Sequence, residues 1–487
     1  MALVLALPGC AVGPDFHTPA APETNLTREP LPAATEAAGG VAQRFNPGAD
    51  IAGDWWALYR SPQLNALIGT ALANNPSLDA AQATLLQAEE TLRSDQGLLL
   101  PTVSGTFNAE RNQASSAVTA AFSQGGGDTK LRPYTLYNAS LSVSYALDIW
   151  GEARRTIEGQ AAQAEYQRDE LEAAYLTLTA NIVTSAVSVA SLHAQIDATN
   201  QVIASEQQLL GILQKQVSLG GVAQAQVLQQ QAQLAQAVAT LPPLQSQLAQ
   251  AQNQLAAYTG TFPGDFQPQD FTLDSLQLPA DLPVSLPSAL VAQRPDIRAA
   301  AAQLHTATAN VGVADAQMLP QITLSGQIGH QGVDTAMLFT PQTLLWSLAA
   351  GVTQPLFEGG QLAAQRKAAI AAMRASAGQY KNTVITAFQN VADVLAALQY
   401  DGTEQQAADD AASAADASLK VTQAQYQLGG QPFTAVLSAQ TTYQNAVLAQ
   451  AKARATRLAD TAALYQAVGG GWWHRQDVTQ SCCGVIP

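Results

Sequence analysis

Hydrophobic and polar positions change period several times along the chain, and the changes divide it into elements. Thr102 to Glu110 alternates strictly, with Val103, Gly105, Phe107 and Ala109 on one side and Thr, Ser and Asn on the other. Tyr137, Ala139, Leu141, Val143, Tyr145 and Leu147 alternate with Asn138, Ser140, Ser142 and Ser144. The same pattern returns at Ile322, Leu324 and Ile328, and again at Trp346, Leu348, Ala350, Val352 and Leu356. Period-two alternation over about ten residues predicts four strands, each long enough to cross a bilayer with one face to lipid. An ordinary half-buried hairpin in a soluble protein has the same period, so alternation alone leaves both open.

The remainder is patterned for helix. Gly151 to Leu219 and Gly360 to Leu428 are each 69 residues without proline. Each could span roughly 100 Å as a helix, a length that demands coiled-coil-like packing. Gly220-Gly221 and Gly429-Gly430 end them and reverse the chain. Shorter helices follow, Val222 to Tyr258 and Pro432 to Val468, and others lead into the strands, Gln63 to Leu100 and Pro287 to Leu319. Pro242-Pro243 predicts a bend in the first return helix.

This order occurs twice. Pro76 and Pro295 are 219 residues apart, as are Pro101 and Pro320, whereas Gly151 and Gly360, like Gly220 and Gly429, are 209 apart. The ten extra residues fall in a loop containing Gly125-Gly126-Gly127. The expected organisation is an α+β membrane protein with an internal two-fold repeat. Residues 11–62 form an extended arm, 63–260 the first repeat, 261–287 a proline-rich linker, 288–469 the second repeat and 470–487 a tail. A return helix and a leading helix end to end match one long helix, so linker and chain ends should meet at mid-height. Four strands cannot close a barrel, and a bilayer does not tolerate open edges. Closure demands several chains: two would give eight strands, three would give twelve.

Composition narrows the chemistry. Charged residues are only 12% of the chain and the hydrophobic fraction is 47%. Ala and Gln make up the difference, which suits helices that approach closely. The balance of 22 basic against 37 acidic residues argues against nucleic acid, which needs a basic patch. No run of 18 apolar residues occurs; the nearest, Leu176 to Leu192, is interrupted by Thr, Asn and Ser, so no transmembrane helix is expected. The five histidines are scattered without ligand spacing, and no nucleophile elbow or phosphate-binding loop is present, so no catalytic site, metal or cofactor is expected. Asp148 and Glu152, beside Arg154 and Arg155, suit the first turn of a long helix. Trp150 fits either an interfacial belt or burial between layers.

Residues 1–10, MALVLALPGC, resemble a truncated bacterial lipoprotein signal, with Cys10 as the lipidated residue. The alternative is an incidental cysteine in a frayed terminus. Further motifs are Gly13-Pro14-Asp15-Phe16, Trp55-Trp56 with Pro62 and Leu64, Leu147-Asp148-Ile149-Trp150-Gly151-Glu152 with Arg154-Arg155, Arg294-Pro295-Asp296-Ile297-Arg298-Ala299-Ala300, Leu319-Pro320 and Pro355-Leu356-Phe357-Glu358-Gly359-Gly360. In this order and spacing, covering residues 10 to 470, the chain resembles the TolC-like outer-membrane efflux channels, in their OprM-like lipoprotein branch.

That resemblance implies a homotrimer with a twelve-stranded outer-membrane β-barrel, continuous with a long periplasmic α-helical coiled-coil barrel. It also implies a periplasmic adaptor and an inner-membrane transporter as partners, with outer-membrane lipid around the barrel. The function implied is a passive duct for drugs or other small molecules. A channel serving a secretion system, or a periplasmic coiled-coil scaffold, is the alternative. In the family a ring of commonly acidic side chains, with a Tyr and a basic partner, closes the tunnel near the helical tips. The Tyr corresponds here to Tyr426, the acidic positions to Gln226, Ala435 and Ser438, and the basic one to Gln431. With neutral residues there, closure is expected to depend weakly on pH and divalent cations. Adaptor contact is expected at Leu219, Gly220, Gly221 and Val222, and at Leu428, Gly429, Gly430 and Gln431.

Overall fold

A computed structural model describes residues 11–113 and 133–475. Cys10, the Gly125–Gly127 loop and the Cys482-Cys483 tail lie outside the described residues. The chain divides into two compact units, one drawn from residues 11–18, 86–165 and 301–378, the other from 19–85, 166–300 and 379–475.

The first unit holds strands β2 (Thr102–Asn112), β3 (Tyr134–Leu147), β5 (Gln321–Gly332) and β6 (Leu344–Thr353) in one antiparallel sheet of order β2-β3-β5-β6. The register joins Val103, Val143, Gly326 and Leu348 across all four strands, and likewise Phe107, Ala139, His330 and Leu344. One position along, it joins Ser104, Ser142, Gln327 and Ser347. Directly opposed residues share a face, so most apolar positions fall on one side, with His330 among them, and most Ser, Thr, Asn and Gln positions on the other, with Leu345 among them. The last strand stops at Thr353, short of the expected Leu356, and leaves Leu356 and Phe357 exposed. Pro355 explains the stop, because it has no N–H for the ladder.

Where β3 passes into helix α3 (Glu152–Ser218), the Asp148 carboxylate accepts the backbone N–H groups of Ala153 and Arg154 at 3.0 and 3.1 Å, which secures the first helical turn. The indole N–H of half-buried Trp150 donates to the Pro320 carbonyl at 2.7 Å, tying that junction to the start of β5. Residues 11–16 are fastened here too. Val12 N–H donates to the Trp150 carbonyl at 3.0 Å, Arg155 pairs with Asp15 at 2.7 Å, and Phe16 stacks on His305 at 4.3 Å. Gly13 crosses Gly312 so closely that a β-carbon on Gly13 would stand 2.4 Å from the Gly312 Cα. His305 and Glu158, 2.9 Å apart, complete the junction, so this histidine has a structural partner in its helix pair.

The second unit is mainly helical. Its helices include α1 (Pro62–Asn74), most of α3, α4 (Gln224–Tyr258), α5 (Pro287–Gln293) and α8 (Phe433–Ala467); α2 (Pro76–Gln96), α6 (Pro295–Ala316) and α7 (Gln361–Gln427), like α3, contribute residues to both units. The leading helices, expected to be continuous from Gln63 and Pro287, are each broken in two. Asn75 and Arg294 take extended backbone, ψ 117° and 123°, because each precedes a proline whose ring excludes the helical conformation. The Asn75 side chain then accepts the N–H groups of Ser77 and Leu78 and restarts the helix. Pro242 and Pro243 lie inside α4, which continues past them to Tyr258.

Two segments expected to be irregular carry structure. The arm contributes β1 (Arg44–Pro47) and a helical turn at Trp55–Tyr59; the linker contributes β4 (Asp281–Val284), which pairs with β1 in parallel. Arm, linker and the end of α8 share one core. Trp55 stacks on Tyr465 at 5.2 Å, the Tyr59 hydroxyl donates to the Leu458 carbonyl at 2.8 Å, and Phe271, Leu282 and Leu290 fill the layer beside Ile182, Val183 and Val189. The apolar stretch of α3 is long and apolar enough to cross a membrane, yet most of it is buried in this core.

A buried guanidinium holds the arm. Arg457 of α8 donates to Gln43 Oε1, Thr35 Oγ1 and Gln405 Oε1, and to the carbonyls of Ala38 and Val41, at 2.9–3.2 Å. Five acceptors use the whole fork of donors, which is what a buried arginine requires. Nearby, burial and the adjacent Asp460 carboxyl raise the pKa of Asp401 well above the usual carboxylate range.

Candidate gate and docking tips

Helices α3 and α7 end in the same way. Gly221 N–H reaches back to the Gln216 carbonyl at 2.8 Å and Gly220 N–H to Val217 at 2.9 Å; Gly430 and Gly429 do the same to Gln425 and Tyr426 at 2.8 and 3.0 Å. This paired pattern needs a left-handed residue, and Gly220 and Gly429 supply it with φ of 75° and 77°. The turns push Leu219 and Leu428 outward, 86% and 88% exposed. Gln431 is also exposed, whereas Val222 folds back on a small apolar cluster.

That cluster consists of Leu213, Val227, Phe433 and Val436, with Tyr426 and Leu437 against it. The Tyr426 ring lies 5.4 Å from Phe433, and its hydroxyl donates to Gln226 Oε1 at 2.9 Å. Burial raises the Tyr426 pKa further, so the hydroxyl stays protonated as a donor. Of the five gate positions inferred from sequence, the structure therefore joins Tyr426 and Gln226. Ala435 lies half-buried one residue before Val436, and Gln431 and Ser438 face outward.

One turn beyond Gln226 on α4, Gln230 reaches Glu206 of α3, a buried carboxylic acid that sequence reasoning passed over. A single Glu in a helical heptad reads as a solvated position; only the packing of α4 on α3 reveals it as buried. The large polar cavity in this unit, about 690 Å³, is lined by Arg454, Asp274, Gln450 and Asp409. Arg454 pairs with Asp274 at 2.6 Å, and the Gln450 amide donates to the Asp409 carboxylate at 2.9 Å.

A sheet with one mainly apolar face and two unpaired edges, on a chain with two 67-residue helices, fits a membrane channel built from strands and helices. The chain belongs to the outer membrane efflux protein family, whose model matches residues 67–261 and 286–470. It is similar to the toluene efflux pump outer membrane protein TtgF of Pseudomonas putida, with 30% identity over 494 aligned positions that cover 97% of this chain and 96% of TtgF. The pyoverdine export outer membrane protein OpmQ of the same species is 28% identical over 424 residues, covering 86% and 88% of the two chains. The open-state MtrE outer membrane channel of Neisseria gonorrhoeae superposes with a TM-score of 0.79 at 26% identity, covering 95% of this chain and 99% of MtrE. This protein is accordingly an outer-membrane efflux channel protein that extends into the periplasm.

Proposed function

We propose that three copies of this chain close the sheet into a twelve-stranded barrel, and that the assembly is the passive outer-membrane duct of a tripartite pump. The observation that carries this reading is the register of the sheet. It gathers most of the apolar positions, Val103, Phe107, Leu141, Val143, Leu324, Ile328, Trp346 and Leu348 among them, on the lipid side and leaves β2 and β6 each with one unpaired edge. In a bilayer those edges must be satisfied by another chain, and the two-fold repeat of two strands, a 67-residue helix and a 35-residue helix supplies equivalent wall elements. The helices wall a periplasmic tunnel; the Leu-Gly-Gly turns at its end receive a periplasmic adaptor, which couples the duct to an energised inner-membrane transporter. Tyr426 and Gln226 constrict the entrance. The cargo class is small organic molecules, as the names of TtgF and OpmQ suggest. Cys10 carries the lipid anchor: Ala11 and Val12 dock at the Trp150-Gly151 junction, at the foot of the strands, where an acyl chain reaches the membrane.

Detergent extraction tests the core of the reading. Purified protein should run as a trimer and form ion-conducting pores in planar bilayers. A chain that is monomeric and soluble without detergent refutes it.

A further inference from the structure

Behind the Tyr426–Gln226 bond, three buried side chains carry oxygens with nothing to bond. Glu206 on α3, Gln230 on α4 and Gln440 on α8 are 1%, 0% and 3% exposed. Gln230 Nε2 donates to Glu206 Oε2 and to the Glu206 backbone carbonyl, both at 3.1 Å. Glu206 Oε1, Gln230 Oε1 and Gln440 Oε1 then remain without a donor, and Gln440 Nε2 without an acceptor. The deficit is therefore of hydrogen-bond donors. An ionised carboxylate can only accept, so it deepens that deficit; a protonated one becomes a donor. Burial pushes the Glu206 carboxyl up to about 7 from its ordinary 4.5, against the opposing pull of the Gln230 and Gln233 side chains.

Glu206 and Gln440 line one cavity of about 210 Å³, together with Ser205, Asp416, Lys420 and Tyr443. The titratable groups facing Glu206 are thus Asp416 and Lys420 from α7 and Tyr443 from α8, while α4 offers the neutral Gln230 and Gln233. Lys420 is held by Asp416 at 2.6 Å, and Gln233 donates to Thr441 at 3.1 Å. The α4 link matters most, because Gln226 lies one turn before Gln230 on the same face. Whatever fixes Gln230 to α3 also fixes the acceptor of the Tyr426 hydroxyl.

We propose that Glu206 is a positioning residue of the gate and that its protonation locks the entrance. Protonated, it sits neutral in the packed layer and keeps α4 on α3 through Gln230. Ionised, it draws water and the Lys420 ammonium into the cavity, α4 lifts from α3, and the Tyr426–Gln226 bond opens. The gate's own side chains stay neutral; pH sensitivity enters one turn behind them. This rests on Tyr426 and Gln226 being the constriction.

The test is single-channel conductance of the purified trimer in planar bilayers between pH 6 and 8. The neutral form favours closure, so conductance should fall as pH drops through neutrality, the closed-to-open ratio per chain rising by at most about tenfold per pH unit. Glu206→Gln, which keeps the shape and the bond to Gln230, should stay in the low-conductance state at pH 8 and lose the pH profile. Gln230→Leu should raise conductance at pH 6. Infrared spectra of the wild-type protein should contain a protonated-carboxyl band that Glu206→Gln removes. A wild-type pH profile persisting in Glu206→Gln, or no profile in the wild type, overturns the proposal. Tyr426→Phe separates the two levels: if it raises conductance while Glu206→Gln leaves the profile intact, the gate stands and the proton lock falls. If neither variant changes conductance, the gate assignment falls as well.

Discussion

Tyr426→Phe removes one oxygen from the proposed gate and leaves the ring packed on Phe433. The lost bond is a neutral hydroxyl-to-amide contact of 2.9 Å between half-buried groups. Such a bond contributes about 0.5–1.5 kcal/mol net, and Gln226 can recruit water once it is gone, so no large desolvation penalty adds to it. A loss of about 1 kcal/mol shifts the closed-to-open ratio of one chain about fivefold. If three chains close in concert, about 3 kcal/mol accumulates and the ratio moves by about two orders of magnitude. Tyr426→Ala also strips the ring from the Leu213–Phe433–Val436 cluster, and for a half-buried aromatic this costs a further 1–2 kcal/mol or so. Open probability should therefore rise in the order wild type, Tyr426→Phe, Tyr426→Ala. Adding Gln226→Ala to Tyr426→Phe should change little, because the bond is already gone. Single-channel recordings check the order. Full additivity of Tyr426→Phe and Gln226→Ala would mean that the two side chains do not act through this bond, and no change in Tyr426→Ala would place the constriction at other residues.

Four further outcomes are expected. Cys10→Ser should abolish acyl labelling yet leave export largely intact, because the barrel itself holds the protein in the membrane; unlabelled wild-type protein would contradict the anchor. Gly220→Val with Gly429→Val forces a branched side chain into left-handed backbone at both tips, so adaptor cross-linking should drop while trimers persist on native gels. Arg457→Met leaves Gln43, Thr35 and Gln405 with unfilled acceptors and should cost about 1–3 kcal/mol for each one left dry, read as a lower melting temperature and faster proteolysis of residues 34–47. Asp401 has its pKa raised by burial and by Asp460, so the folded state binds more protons than the unfolded one and stability falls as pH climbs from the unfolded value toward neutrality. Asp401→Asn should therefore raise the melting temperature at pH 8 and leave it nearly unchanged at pH 4.

The long elements were legible because each carries its signal locally. Period-two alternation located β2, β3, β5 and β6, and the absence of proline located α3 and α7 to within a residue or so. The helix breaks at Asn75 and Arg294 had a local signal too, the following prolines, but helical patterning on both sides masked it. The β1–β4 pair was not legible. Its strands have four residues each, β4 contains Pro283, and Arg44 and Asp281 are brought together from either side of the whole first repeat. Arg457 and Glu206 were invisible for a related reason: a lone charge in an Ala- and Gln-rich helix marks a solvated face unless a distant segment covers it. At the tips, the Leu-Gly-Gly turns were readable from glycine alone, whereas the pairing of Tyr426 with Gln226 rather than with Gln431 or Ser438 depends on how α4 packs.

The unpaired edges of β2 and β6 have a genetic consequence. In the proposed trimer every chain supplies one half of two seams, so a single faulty chain spoils a barrel that its two neighbours cannot complete. Leu348→Pro, which removes a ladder donor from β6, would then act dominantly. In a cell making equal amounts of normal and variant chain with random assortment, only about one trimer in eight would contain three normal chains. Loss of export would greatly exceed the half expected for a protein working as a monomer, whereas a null allele making no chain would be recessive.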